Sequence, residues 1–207
     1  MIVYPGFQAL DAFGPLDALN LLSLRTPINL SIIGPTLDPV STKHDDPKGS
    51  RFSQSVVPTH TFADPPKDVD VLMIPGGTGT RNSTRIAEVA SFVAAFRPEV
   101  KYLFTVCTGS AIAAKSGVLD GKKATSNKNE WKWVKSLGPN VDWIAHARWV
   151  EDGDTWTTSG VSAGIDGMFA FISARYGEDM AAAVAEDMEY TRELDSTNDP
   201  WAKHYNL

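Results

Sequence analysis

The sequence predicts one α/β domain, a doubly wound, mostly parallel sheet with helices on both faces, plus a β-hairpin. Three features carry this reading. Strand-like apolar runs alternate with stretches of helical spacing along most of the chain, and such alternation implies parallel strands joined by right-handed crossovers. The run Val71-Leu72-Met73-Ile74 is continuously apolar, as expected of a strand buried on both faces. The 207 residues suit a single domain, spanning 1–207, that buries a core without disulfide or metal staples.

Taken in order, Ile2 to Tyr4 reads as a short strand ending at Pro5-Gly6. Phe13, Leu16, Leu19 and Leu22 recur at helical spacing and predict a helix over 11–22. Ile28, Leu30 and Ile32 alternate as in a strand. Pro35 to Ser53, rich in Pro, Asp, Lys and Gly, reads as a surface excursion. Strands are expected over 70–74 and 102–106, and helices over 86–96 and 109–116. Asp152-Gly153 between Trp149-Val150 and Trp156 predicts a tight hairpin turn. Two further helices are expected over 162–176 and 178–190. The polar tail from Thr191 carries Trp201 and Tyr205, which suggests docking on this chain or on a second subunit.

Composition excludes several classes. A formal net charge of −6 argues against a nucleic-acid partner, which favours a basic face. One cysteine rules out an intrachain disulfide and a zinc site of paired cysteines, and a reducing compartment suits it. The N-terminus shows no basic segment followed by an apolar run. No stretch approaches the roughly 18 apolar residues of a membrane span. The expectation is a cytoplasmic protein with no membrane partner.

In a doubly wound sheet the site lies beyond the C-terminal strand ends. Three chemically distinctive segments fall there, namely Pro5 to Asp11, Pro75 to Thr80 and Cys107 to Ser110. A lone cysteine is often a small buried hydrophobe. Cys107, however, falls between a buried strand and a helix opening with Thr108-Gly109-Ser110-Ala111, a placement like the nucleophile elbow of serine hydrolases. Free amides at the helix start are expected to lower its pKa. Gly76-Gly77-Thr78-Gly79-Thr80 fits neither phosphate-binding fingerprint; it is either part of an oxyanion hole or a plain tight turn. Asp11 before an apolar helix is ordinarily an N-cap, but its segment can reach the cysteine crevice, where a carboxyl of raised pKa serves as general acid. Asp17 is read as structural. His44, His60, His146 and His204 neither adjoin Cys107 nor show metal-ligand spacing.

These residues resemble the ThiJ/PfpI superfamily. The segments are Asp70 to Gly77, Val106-Cys107-Thr108-Gly109-Ser110, and Gly117 to Thr125, with Pro5 to Asp11 and Ser159 to Asp166 at either end. The resemblance implies a flavodoxin-like, glutamine-amidotransferase-like fold. Cys107-Thr108-Gly109, where many members carry Cys-His-Gly, and Leu10-Asp11-Ala12-Phe13-Gly14-Pro15, where others carry Glu, resemble the isonitrile hydratase branch. The amidotransferase-like domains of some transcription regulators share them, and a chain of this length leaves no room for an added DNA-binding domain. Ser126-Asn127-Lys128 stands where hydratase-like members tend to have Thr-His-Trp, which changes the polar group at the pocket entrance. Lys128 to Val134 and Ala147-Arg148-Trp149-Val150 are similar to fungal members.

The resemblance implies hydration of an isonitrile to an N-substituted formamide. Cys107 is the nucleophile, Asp11 the general acid and base, and Thr108 a catalytic donor. Gly76, Gly77, Thr78 and Val161 are expected to line the substrate or oxyanion position. No cofactor and no metal is needed, because the sulfur makes the bond. The expected partners are a small-molecule substrate and a second copy in a homodimer. Two rivals stand beside this reading. One is a redox sensor or protective protein acting through cysteine oxidation. The other is a glyoxalase-like activity on small 2-oxoaldehydes, which needs a base that Thr108 does not provide.

Overall fold

The computed structural model describes residues 1–207. In chain order the elements are α1 (Ala9–Leu22), β1 (Ile33–Gly34), β2 (Val40–Ser41), β3 (Ser55–Val56), β4 (His60–Thr61), β5 (Val71–Ile74), α2 (Ser83–Phe96), β6 (Tyr102–Thr105) and α3 (Gly109–Lys115). Then follow β7 (Lys123–Ala124), α4 (Trp131–Leu137), β8 (Asp142–Trp143), β9 (Trp149–Asp152), β10 (Thr155–Thr158), α5 (Val161–Tyr176), α6 (Glu178–Asp187) and α7 (Pro200–His204). No helix is long and apolar enough to cross a membrane.

The central sheet runs β5-β6-β10-β9. Its first three strands are parallel, and β9 joins β10 antiparallel as the expected hairpin. The N-terminal residues extend the sheet on the β5 side. Ile2 N–H donates to Met73 O at 2.9 Å, and Val3 N–H donates to Ile33 O at 2.9 Å. Residues 1–4 therefore lie between β5 and β1, which pairs in turn with β4. Helices pack as two groups, α1 with α5 and α6, and α2 with α3 and α4. Both groups reach the sheet, α3 against β5 and β6 and α5 against β9 and β10. This is the doubly wound, flavodoxin-like arrangement.

Several boundaries moved for physical reasons. The strand expected over Ile28–Ile32 forms only at Ile33–Gly34, because residues 28–31 are partly or wholly exposed and hydrogen-bond to the sheet only where Ser31 O accepts from the Met1 ammonium at 2.7 Å. The excursion after Pro35 is pinned by a two-residue ladder between β2 and β3. The hairpin closes on Gly153-Asp154, with Asp152 and Thr155 paired across it and Gly153 at φ 63°. Positive φ at the first loop residue suits glycine. The helix after α5 ends at Asp187, three residues short of Tyr190. The tail docks on this chain. Arg148 N–H donates to Ser196 O at 2.6 Å, and the His146 imidazole meets Leu207 O at 2.8 Å.

The turn from β6 into α3 is the feature that makes a site. Val106 N–H donates to Ile74 O at 3.0 Å, so the chain is held to β5 until the last moment. Helix α3 then starts hard against the end of β5, where a Cβ on Gly109 would lie 2.2 Å from Ile74 O. Only a residue without a side chain permits that approach. Gly109→Ala is therefore expected to cost about 3 kcal/mol, since overpacking against backbone has little room to relax. Urea unfolding of the purified variant measures it; a loss below about 1 kcal/mol would mean that the turn relaxes.

Candidate active site

Cys107 occupies the left-handed region at φ 57°. A side-chain-bearing residue there costs of order 1 kcal/mol or more and persists only when neighbours enforce it. They do so from both sides. Its N–H donates to Ser159 O at 2.9 Å and to Thr158 O at 3.2 Å. Its carbonyl accepts from the Ser110 hydroxyl at 2.9 Å and the Ser126 hydroxyl at 3.1 Å, and those two hydroxyls meet at 2.7 Å. The result is a strained elbow at the upper edge of the sheet, between β5 and β10.

Asp11 arrives from the opposite loop. The 5–11 segment is stitched to the 75–79 segment, with Gln8 N–H donating to Gly76 O at 2.8 Å and Gly79 N–H to Gly6 O at 2.9 Å. Gln8 is the N-cap of α1, and Asp11 sits inside the first turn. Its carboxyl caps nothing. Oδ2 accepts from Gly76 N–H at 3.0 Å, while Oδ1 is buried without a partner of full hydrogen-bond geometry. The Cys107 thiol is the neighbour that interacts with this carboxyl. The packing here leaves no slack. A Cβ on Gly76 would fall 2.6 Å from both the Thr108 nitrogen and its Oγ1, and 2.9 Å from Asp11 Oδ2.

The glycine amides are already engaged in this scaffold. Gly76 holds Asp11, and Gly77 N–H donates to Thr108 Oγ1 at 3.0 Å. An oxyanion hole built from those two amides is therefore replaced by a cradle that orients the carboxyl and the hydroxyl. Donors toward the sulfur are the Thr108 backbone N–H, the Asn127 side chain and the Thr108 hydroxyl. Thr78 is exposed and its hydroxyl meets His44 Nδ1 at 2.7 Å. Val161 is half-buried at the start of α5, two residues after Ser159. Asp17 is exposed. His60, His146 and His204 find their partners at Thr59, Leu207 and the Trp201 and Tyr205 rings.

Burial sets the electrostatics. It raises the Asp11 carboxyl from 3.8 to about 7, with Gly76 N–H and the thiol pulling weakly the other way. It also pushes the Cys107 thiol well up, reinforced by Asp11, and the surrounding donors offset this only in part. Sequence reasoning expected the helix start to lower the thiol pKa. A sulfur that is 8% exposed has lost the water that would solvate its ionised form, and desolvation outweighs a dipole worth about 1 kcal/mol. Tyr4 beneath the pair is raised by the same burial and by both neighbours, and its hydroxyl donates to Pro75 O at 2.7 Å.

Sequence reasoning gave no role to Ser110 and placed Ser126, Asn127 and Lys128 only as a changed polar group at the pocket entrance. Asn127 was visible only as a residue that differs from relatives. Nothing in the local pattern around 126–128 announces that a loop twenty residues beyond the cysteine folds back onto it. No group of three or more His, Cys, Asp or Glu side chains comes together as a metal site.

The fold and site define an α/β protein with a single buried cysteine on a strand-to-helix elbow and a carboxyl held against it. The model of the DJ-1/PfpI family matches residues 1–174, and the chain belongs to that family. It is 30% identical to an isonitrile hydratase of Pseudomonas putida over 191 residues, covering 91% of this chain and 76% of the relative. It is 29% identical over 126 residues to an HTH-type transcriptional regulator of Pseudomonas aeruginosa, covering 60% of this chain and 33% of the regulator. Among solved structures, a ThiJ/PfpI family protein from Pseudomonas syringae superposes with a TM-score of 0.75 at 28% identity, covering 96% of this chain and 77% of that one. Drosophila melanogaster DJ-1beta shares the fold at a TM-score of 0.69 and 18% identity, covering 92% and 96%.

The raised carboxyl makes stability depend on pH with a definite sign. Folded Asp11 binds its proton more tightly than unfolded Asp11, so stability falls as pH rises from about 4 to about 7. Asp11→Asn keeps an acceptor for Gly76 and removes the buried charge. It is expected to stabilise the protein at pH 8 by roughly 2–4 kcal/mol, at about 1.4 kcal/mol per pKa unit. That gain should shrink toward zero near pH 4. Urea unfolding at both pH values checks it; equal stability of the two proteins at pH 8 would mean that Asp11 ionises without penalty.

Proposed function

We propose that the protein hydrates an isonitrile to an N-substituted formamide, using Cys107 as nucleophile and Asp11 as proton carrier. The observation that carries this reading is that the fold brings the buried Asp11 carboxyl, held by Gly76 N–H beside Thr108, into one crevice with the buried Cys107 elbow. Burial raises both groups, and the carboxyl ionises first, so above about pH 7 Asp11 is a carboxylate able to accept the thiol proton when a substrate arrives. The 30% identity to an isonitrile hydratase over nine-tenths of the chain supports the same substrate class.

The reaction runs as follows. The Asp11 carboxylate takes the thiol proton as sulfur attacks the terminal isonitrile carbon. Asp11 returns that proton to the same carbon, leaving a thioimidate, R–N=CH–S–Cys107. Asp11, ionised again, takes a proton from water as the oxygen adds to the thioimidate carbon, and passes that proton to the nitrogen. As the adduct collapses, Asp11 carries the hydroxyl proton to the departing sulfur, which leaves as the thiol and releases R–NH–CHO, so the net change is the addition of one water. The Thr108 amide and hydroxyl and the Asn127 amide group steady the sulfur while it carries charge. Val161 and the start of α5 border the substrate side. The burial that raises the thiol argues against the redox-sensor reading, because selective oxidation follows thiolate character and exposure.

Purified protein incubated with a simple aryl or alkyl isocyanide is expected to yield the formamide, followed by mass spectrometry. Cys107→Ala should abolish turnover, and product formation by that variant would overturn the mechanism. For the wild type, kcat/KM should rise with pH through a midpoint near 7, as Asp11 ionises and becomes able to accept the thiol proton. Asp11→Asn should lower kcat/KM by about 10²–10³, the usual range for a general acid–base group, and should lack that rise.

A further inference from the structure

A fully buried cation lies beside the elbow and has no part in the chemistry described so far. The Lys128 and Asp199 side chains are each 1% exposed, and their charged atoms are 3.2 Å apart. Burying an ion pair costs several kcal/mol per ion unless other groups compensate, and here they do so for one partner. The Lys128 ammonium donates to Thr125 Oγ1 at 2.7 Å, Ser126 O at 2.9 Å and Ala147 O at 2.9 Å, which uses all three of its protons. The Trp131 ring lies 5.1 Å away. Asp199 Oδ1 caps α7 by accepting Trp201 N–H at 3.0 Å, while Oδ2 has only the lysine charge.

The bonds lead directly to Cys107. Lys128 grips the carbonyl of Ser126, and the Ser126 hydroxyl holds the Cys107 carbonyl. Between them in the chain stands Asn127, whose side chain favours an ionised Cys107. We propose that Lys128, anchored by Asp199 from the C-terminal segment, is a positioning residue for Cys107. It fixes the 125–128 turn against the elbow and places a positive charge where the reacting sulfur becomes negative. The ammonium sits on the Ser126 carbonyl and the Ser126 hydroxyl sits on the Cys107 carbonyl, so one residue links the charge to the elbow. Desolvation nonetheless leaves the ammonium at about 8, lowered from 10.5, so its charge fades just above neutral pH.

The other charged groups around the pair are accounted for. Asp11 faces the same sulfur and opposes its ionisation. Glu130 is paired with Arg81, and Arg148 with Asp166 at 2.6 Å. His146 meets the backbone oxygen of Leu207. Lys128 is thus the cation buried with Cys107, and Asp199 is its counter-charge.

The inference rests on Cys107 being the nucleophile, but not on which substrate it attacks, so it is tested without substrate. Cys107 is the single cysteine, and intact-mass spectrometry of iodoacetamide-treated protein reads it alone between about pH 6 and pH 9. Lys128→Met is expected to slow alkylation at pH 7 by about tenfold and to move the pH profile up by about one unit, with the fold checked by circular dichroism. Asp199→Asn keeps the α7 cap and removes the counter-charge, so the lysine should lose its proton at lower pH. Its alkylation rate near pH 8 should fall by about threefold or more relative to the wild type. Folded Lys128→Met with a wild-type profile would overturn the proposal. Should that variant not fold, an unchanged profile in Asp199→Asn would overturn it. Wild-type protein that resists alkylation even at pH 9, while Cys107→Ala keeps full turnover of an isocyanide, would instead defeat the nucleophile reading itself.

Discussion

Everything at this site depends on the left-handed backbone of Cys107. A non-glycine residue does not stay at φ 57° unaided. Here β10 takes its N–H, while hydroxyls from α3 and from the 126 loop take its carbonyl. Those bonds turn the chain from strand to helix within one residue and aim the sulfur at the crevice above the sheet. Loosening any of them lets the cysteine relax toward ordinary backbone, where its side chain no longer meets Asp11.

Once the sulfur is placed, burial governs its chemistry. The pocket raises thiol and carboxyl together, so neither ionises cheaply, and the carboxyl ionises before the thiol. That differs from a cysteine kept as a resting thiolate by a helix dipole. In the proposed reaction the protonated thiol is weakly reactive at rest and becomes a nucleophile only as Asp11 takes its proton, and the same carboxyl then activates water. Gly76 serves this arrangement, because a side chain there would collide with both Asp11 and Thr108.

The C-terminal segment belongs to the site in a way that its composition does not announce. Asp199 reaches into the protein to a lysine that in turn holds the loop beside the cysteine. Arg148 and Asp166 fasten the same segment further back, where Tyr190 and the Glu193 amide bond Asp166 at 2.8 and 3.0 Å. The tail, read from sequence as a surface or subunit contact, is thus a structural support of the loop beside Cys107.

Local pattern alone reveals the alternation of strands and helices, the elbow at Cys107 and the convergence of Asp11 and the Gly76-Gly77 loop on one sheet edge. Those features are local or follow from the handedness of crossovers, so pattern reveals them. The strand over 28–32 was misread because alternation does not reveal whether a partner is present. Only the tertiary structure decided that the glycine amides serve Asp11 and Thr108, that Asn127 and Lys128 join the site, and that the thiol pKa goes up. Hydrogen-bond partners and dielectric surroundings are set by residues distant in the chain, and no window of sequence contains them.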